Sequence, residues 1–447
     1  MNSTRREASR RCPRTLSAAG GALLALVAGC AAPSGDEDSD PEADSAETVT
    51  ETPRERMARV IREYDAQGIH RTGTEVDDAS ARWFADLVRE AGFEPQLEEL
   101  TYPHSEFLQA ELRLADGSVV EGIPLFDGGA TGAEGVRGVL REVQVDEAAA
   151  EAPLPADAPA AIFFARIGPL ASYAPGFRPL REHPSVIGLV AVTGGAELGL
   201  PEGYSLINAN RYLEPYGAPA LQVESQAWET LAAHAGQEVE LVIEARRSPR
   251  VVYNVLATVP GSAPGLAPVV VMTPRSGWWQ CASERGGGIA VWVELLHALR
   301  QQPPARSVHF VASTGHELGH VGLDHHLAER PELIAGAHLW LHLGANFAAA
   351  TAPGIRLQAS SQELFDDAAA RLQAAGAQVA VATPIDQRPL GEARNIHDGG
   401  GRFVSILGGN GLFHSPQDRW PDAVDLDVLE SVRAAIVGLV QAQAPAP

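Results

Sequence analysis

The 447-residue sequence predicts an α/β protein: a mixed, mostly parallel sheet sandwiched by helices, with an inserted β-rich module. Three features carry this prediction. From residue 250 onward, β-like apolar runs alternate with helix-like stretches, the pattern of a sheet covered on both faces. Residues 121–247 have another texture, with short β-like runs between Pro- and Gly-rich loops. Two amphipathic helices and a pair of strands precede that module.

The elements follow in order. Met57, Val60, Ile61 and Tyr64 recur at spacings of three and four, predicting a helix over 53–68 that Gly68 breaks. A second helix is predicted from Asp78 to Ala91, with Trp83, Phe84, Leu87 and Val88 inward and Gly92 as its stop. Strands follow near 94–102 and 107–114. In the module, Ala161–Phe164, Val186–Val192, Pro219–Val223 and Val239–Ile243 read as strands. Beyond it, Val251–Val259, Val269–Met272, Val308–Ala312, Leu339–Leu343 and Phe403–Leu407 read as strands. Ile289–Leu299, Gln362–Ala374 and Val428–Gln441 read as helices. The main domain is thus expected in two parts, 53–120 and 248–447, with the insert at 121–247. In open α/β sheets chemistry gathers at the carboxyl ends of strands.

Composition removes several function classes. All 34 basic residues are arginine, so neither a Schiff-base lysine nor a phosphate-loop lysine is available. A net charge of −23 repels nucleic acid and anionic lipid surfaces. No Gly-x-Ser-x-Gly string offers a serine nucleophile elbow. Nothing in the sequence sets the oligomeric state.

The first 29 residues read as an export signal. Arg5, Arg6, Arg10, Arg11 and Arg14 precede an apolar stretch from Leu16 to Ala28, too short to span a bilayer comfortably. Val27-Ala28-Gly29-Cys30 resembles the bacterial lipobox, which implies lipidation of Cys30 and an envelope location, with the outer membrane expected because Ala31 follows. Residues 30–52 carry eight acidic residues and almost no large apolar side chain, the composition of a tether. With Cys12 in the leader and Cys30 in the anchor, Cys281 is the single thiol of the folded part.

The order of pieces from about 55 to 445 resembles the di-zinc exopeptidase family of secreted bacterial leucyl aminopeptidases, glutamate carboxypeptidase II and the transferrin receptor. Gly68-Ile69-His70-Arg71-Thr72-Gly73-Thr74-Glu75 is similar to the family's opening, and Tyr253-Asn254-Val255 to the point where the peptidase fold resumes. The insert resembles the family's protease-associated domain, with Ala218-Pro219-Ala220-Leu221-Gln222-Val223 near its end. Gly315-His316-Glu317 stands where the family has Gly-Glu-Glu, and His414-Ser415-Pro416-Gln417-Asp418 where it has its last histidine ligand. The resemblance implies a zinc-dependent hydrolase of peptides or small amides.

The site positions depart from the family. Its His-x-Asp pair falls on Thr273 and Arg275, and its bridging Asp on Ser283 with Glu284 beside it. Its general-base Glu falls on His316, its second Glu is kept as Glu317, its later Asp becomes His342, and its last His is His414.

Three readings of these histidines stand side by side. In the first, one zinc ion is held by His342, His414 and a carboxylate, Glu284 or Glu317, with an open position for water and with His316 or Glu317 as base. Arg275 then binds a substrate carboxylate or oxyanion. In the second, His316-Glu317-Leu318-Gly319-His320 is a His-Glu-x-x-His string whose His316 and His320 bind zinc from one helix face. In the third no metal binds, and the fold serves as a peptide- or protein-binding module, as in family members that lost catalysis. Trp278 and Trp279 are candidates for a substrate-pocket wall, and His397 for a substrate-pocket loop. His325 and His326 read as exposed. Gly286-Gly287-Gly288 reads as close helix packing or as an anion-binding turn.

Overall fold

A computed structural model describes residues 51–146 and 153–445; the leader, Cys30 and most of the tether lie outside the described residues. The chain opens with α1 (Pro53–Ala66) and α2 (Glu75–Glu90), followed by β1 (Gln96–Arg113), β2 (Val119–Glu121) and β3 (Ile123–Pro124). Thr52 and Glu55 cap the start of α1 reciprocally, which fixes the first turn of the helix. Residues 121–247 supply β4 (Gly132–Glu142), β5 (Ala161–Arg166), α3 (Phe177–Glu182), β6 (Val186–Thr193), β7 (Ala220–Glu224) and α4 (Trp228–Ala233). After β8 (Glu238–Val259) come β9 (Val269–Pro274), α5 (Gly286–Gln301), β10 (Val308–Ser313), α6 (Val321–Glu329) and α7 (Pro331–Gly336). The chain closes with β11 (Leu339–Leu343), β12 (Ile355–Ala359), α8 (Gln362–Ala374), β13 (Val379–Ala382), α9 (Ala393–Asp398), β14 (Phe403–Gly408) and α10 (Leu426–Gln443).

The sheet has 14 strands, and its main path runs β13-β12-β14-β11-β9-β10-β8-β4-β5-β6-β7-β3. The fold class is therefore the predicted one. The two strands expected at 94–102 and 107–114 are one, β1, with an irregularity between Phe107 and Gln109. Its partner β8 is 22 residues long and crosses the expected 247/248 boundary. The carboxyl half of β8 pairs with β10, the amino half with β4, and β1 runs antiparallel along both halves. The strands of residues 121–247 and those after them are thus joined by continuous backbone pairing.

Period-two alternation places the core. Val269 and Val271 of β9 face the layer built by α1, α2, α5, α8 and α10, while Val270 and Met272 face α6, α7 and α9. The three glycines opening α5 serve packing. A Cβ on Gly288 would lie 2.5 Å from Thr273 Oγ1 and one on Gly286 would lie 2.9 Å from Ile61. That close approach brings the start of α5, and Glu284 and Arg285 before it, against the carboxyl end of β9.

Candidate functional site

The site forms where β9, β10, β11 and β14, mutually parallel along the chain of pairings, reach their carboxyl ends. Its centre is an arginine that the sequence reading passed over. Arg285 is 1% exposed, and its Nη2 lies 2.7 Å from Glu317 Oε1 and 2.9 Å from Glu284 Oε1. Its Nε donates to Ser276 O at 2.8 Å, and Ser276 Oγ donates to Glu317 Oε2 at 3.0 Å. Burial alone would raise the Glu284 carboxyl; Arg285 and then His414 outweigh it and hold it down to about 2. Glu317 shifts upward, because burial exceeds the pull of Arg285. Asp418 accepts the backbone N–H of Ser283 and Glu284 at 2.8 and 2.9 Å and so anchors the segment carrying these charges.

The four predicted histidines surround this ion cluster without converging. The ring of His414 is anchored by Nδ1 to Leu206 O, and its Nε2 stands 3.3 Å from Glu284 Oε1. His342 Nδ1 pairs with Ser405 Oγ at 2.8 Å. His316 Nδ1 lies 3.4 Å from Glu392 Oε1, which accepts from Ser313 Oγ at 2.6 Å. His316 Nδ1, His342 Nε2, His414 Nε2 and Glu392 Oε2 are all buried and lack a hydrogen-bond partner. Burial, with Arg285 adding to it, pushes His316 well below the ordinary histidine range. Burial likewise lowers His342 to about 4. Both imidazoles are therefore neutral near pH 7.

Strain collects here. Of the five non-glycine residues with positive φ among the described residues, Cys281, His320, Asn346 and His414 belong to the site's segments. Such backbone costs of order 1–3 kcal/mol per residue and persists where its surroundings enforce it, often at functional sites.

The donor set does not fit zinc as placed. A divalent cation held by Glu284 and Glu317 would meet a guanidinium already between them, and charge repulsion there is undamped by water. Among the described residues no group of three His, Cys, Asp or Glu is arranged to hold a metal ion. The His-Glu-x-x-His reading is corrected as well. His316–Leu318 is a single 3₁₀ turn, Gly319 has φ 81°, and α6 starts only at Val321. His316 and His320 stack, with ring centroids 4.8 Å apart, and His320 Nδ1 is engaged by Asn395 Oδ1.

Other predicted residues take structural parts. Arg275 turns away from the site: Nη1 reaches Asp77 Oδ1 at 2.8 Å, and Nε and Nη2 donate to Tyr253 O. Thr273 donates to Leu343 O, and Ser283 Oγ accepts from Asn410. Trp278 is wholly buried and its Nε1 donates to Asn208 Oδ1, while Trp279 donates to His414 O. They brace Asn208 and the His414 loop; neither lines the pocket described next. His397 contacts Asp398 near the end of α9. His326, expected at the surface, is buried against Glu98. Cys281 is buried, 3.5 Å from Glu284 Oε2.

A cavity of about 290 Å³ opens beside His316. Its wall includes Leu170 and Tyr173 from the segment between β5 and α3, Leu390 and Phe413 from loops, Leu407 from β14 and Arg356 from β12. Arg285, Glu392 and Arg356 escaped the sequence reading. Arg285 carried one signal, a charged residue beside a candidate ligand just before the glycine-rich helix start; Glu392 and Arg356 carried none.

With this geometry in view, the solved structures similar to the chain are informative. A zinc aminopeptidase from Bacillus subtilis is 15% identical, with a TM-score of 0.69 over 88% of this chain and 95% of its own. An aminopeptidase from Aneurinibacillus sp. strain AM-1 is 16% identical, with a TM-score of 0.63 over 89% and 95%. A peptidase M28 precursor from Shewanella amazonensis is 16% identical, with a TM-score of 0.65 over 87% and 95%. No family model and no curated protein matches the sequence. The class defined is therefore a protein with the zinc-aminopeptidase fold. Within it, this chain carries an arginine between the two carboxylates of its site.

Proposed function

We propose that this chain is a binding protein built on the aminopeptidase fold, which holds a small ligand or a peptide end beside His316 and does not cleave it. The observation that carries this reading is Arg285. Its guanidinium pairs with Glu284 and Glu317 at once and occupies the place between them, which leaves the two acids no vacancy for a metal and engages both against acting as a base. The neutral, unpartnered Nδ1 of His316, a residue of the cavity wall, supplies a polar recognition group.

A second reading, a hydrolase of peptides or small amides with one zinc ion, draws on a different observation. His342 Nε2 and His414 Nε2 are buried without partners, as histidines awaiting a ligand would be. The zinc aminopeptidases among the similar structures make zinc the ion to test.

One measurement separates the readings: metal content of the full-length chain by elemental mass spectrometry after zinc loading. The binding reading expects far less than one zinc per chain and no turnover of a peptide library. One zinc per chain, lost in His342→Ala and in His414→Ala, would replace it with the hydrolase reading.

For location we propose export and lipid anchoring through Cys30, supported by the leader and lipobox in the sequence. Among the described residues no helix is long and apolar enough to cross a membrane, so in this reading the lipid is the attachment. Intact-mass analysis of the mature protein, with Cys30→Ser as control, tests it. Peptides or small molecules are the partners proposed; the net charge of −23 disfavours nucleic acid.

A further inference from the structure

We propose that the cavity beside His316 is a binding site for a small carboxylate with an apolar body, and that Arg356 is its counter-ion. This rests on the binding reading and adds the ligand's chemical class.

The wall is mostly apolar. Leu407 and Phe413 line it half-buried, and Leu170 and Leu390 line it 52% and 37% exposed although they are leucines. Apolar side chains left open around a cavity suit a hydrophobic ligand.

The wall's charge is one-sided. It contains the Arg356 guanidinium and no Asp or Glu. Arg356 stands directly opposite Leu407 in the antiparallel pairing of β12 and β14, so both side chains project from the same face of the sheet. The Arg356 guanidinium makes a single hydrogen bond, from Nη1 to Thr383 Oγ1 at 3.4 Å, and among the described residues no carboxylate lies within ion-pair distance of it. Arg356 is half-buried with donors open to the cavity, so it can serve as counter-ion to an anion bound there.

The other polar groups of the wall do not supply that anion. Asn410 and Asn346 bond each other at 3.1 Å, and Asn208 is held by Trp278. Glu392, one residue past Gly391 of the wall, is fully buried with its Oε1 bonded to Ser313. An amine ligand would meet Arg356 with no acid in the wall to offset it. A carboxylate would instead pair with the fork of Arg356 while its apolar body fills the space between Leu407 and Phe413. Gln358, two residues along the same strand face, accepts from the Leu390 backbone N–H at 3.1 Å and so holds the cavity's edge in place.

Both a free aliphatic acid and the carboxyl end of a short peptide present this chemistry. The test is calorimetric titration of the full-length chain with hexanoate, hexanamide and hexylamine, and with N-acetyl-leucine and its amide. Hexanoate or N-acetyl-leucine should bind at least tenfold more tightly than its own amide, and the amine should not bind. Preference for hexanoate would identify a free acid as the source, and preference for N-acetyl-leucine a peptide end. Arg356→Gln should weaken the acid at least tenfold and leave the amide unchanged, with Arg356→Lys intermediate. Equal binding of acid and amide, acid affinity indifferent to Arg356→Gln, or no binding of any probe would each overturn the assignment. The acid–amide comparison on the unmodified chain decides the matter even if Arg356→Gln does not fold. Failure of the metal-free reading looks different: zinc in the protein, with acid binding that a chelator abolishes and Arg356→Gln retains.

Discussion

Arg285 Nη2 donates to Glu317 Oε1 at 2.7 Å in a site where both side chains are almost wholly buried. A charge buried this way is tolerable only while its partner remains. Arg285→Ala should therefore lose about 3–5 kcal/mol in urea unfolding, the usual cost of breaking a buried ion pair from one side. It also leaves Glu284, Glu317 and the free Nε2 of His414 as neighbours. Zinc should then raise the unfolding midpoint of the variant, while the unmodified chain should not respond. A zinc response in the unmodified chain, or none in the variant, would refute the idea that Arg285 acts as an internal cation.

Arg275 and Asp77 form a second buried pair at 2.8 Å, with side-chain exposures of 1% and 0%. Here the expected role is architectural, since Asp77 also accepts the Gly73 N–H and so ties α2 to the loop before it. Asp77→Ala should cost about 3–5 kcal/mol. The paired replacement Asp77→Leu with Arg275→Met should cost less than the sum of the two single changes, which a double-mutant cycle measures. Any variant of the pair that folds should bind carboxylate probes as the unmodified chain does.

Acid should weaken the fold partly through His70. Its ring stacks on Tyr64 with centroids 3.7 Å apart, and burial lowers it to about 3 from an ordinary 6.5. Between those values the unfolded chain takes up a proton that the folded chain refuses, so stability falls as pH falls below 6.5. The loss from this residue should reach about 2 kcal/mol by pH 5. His70→Phe retains the stacked ring and cannot be protonated. Its stability relative to the unmodified chain should therefore improve between pH 7.5 and 5. Asp418, which burial raises to about 7, acts in the opposite sense but equally in both proteins, so it cancels from the comparison. A flat difference across that range would exclude His70 as a source of acid sensitivity.

Cys281 should behave as a sealed thiol. It is wholly buried, and burial, followed by the charges of Glu284 and Asp418, pushes its thiol well above the ordinary range. A thiol reagent should label it only as fast as the protein opens, with the rate rising as urea approaches the unfolding midpoint. Rapid labelling in native buffer would mean that the ion cluster around Arg285 opens locally.

Much of the fold was legible from residue patterns. The apolar spacing Met57, Val60, Ile61 and Tyr64 did form α1, and the runs Val269–Met272 and Leu339–Leu343 did form central strands. Period and local breakers suffice for such elements because neighbouring residues decide them. The expected break between 102 and 107 did not occur, since β8 pairs β1 on both sides of it and overrides the weak local signal. His316-Glu317-Leu318-Gly319-His320 was misleading as a string. Two glycines at positive φ, Gly315 and Gly319, flank a single turn, and a helix cannot pass through them.

The sequence by itself determined the α/β layering and the lack of lysine chemistry, and it placed Thr273, Arg275, Ser283 and His316 where the family it resembles would have metal-site residues. Only the tertiary structure decided which charges meet. Arg285 stands beside Glu284 in the chain, yet its closer partner Glu317, at 2.7 Å, lies 32 residues away. Arg275, expected at the site, is drawn to Asp77, 198 residues distant. The physical reason is reach. A guanidinium on a long side chain can turn to either side of its strand or helix. It settles where buried carboxylates repay its desolvation, and no local pattern records that choice.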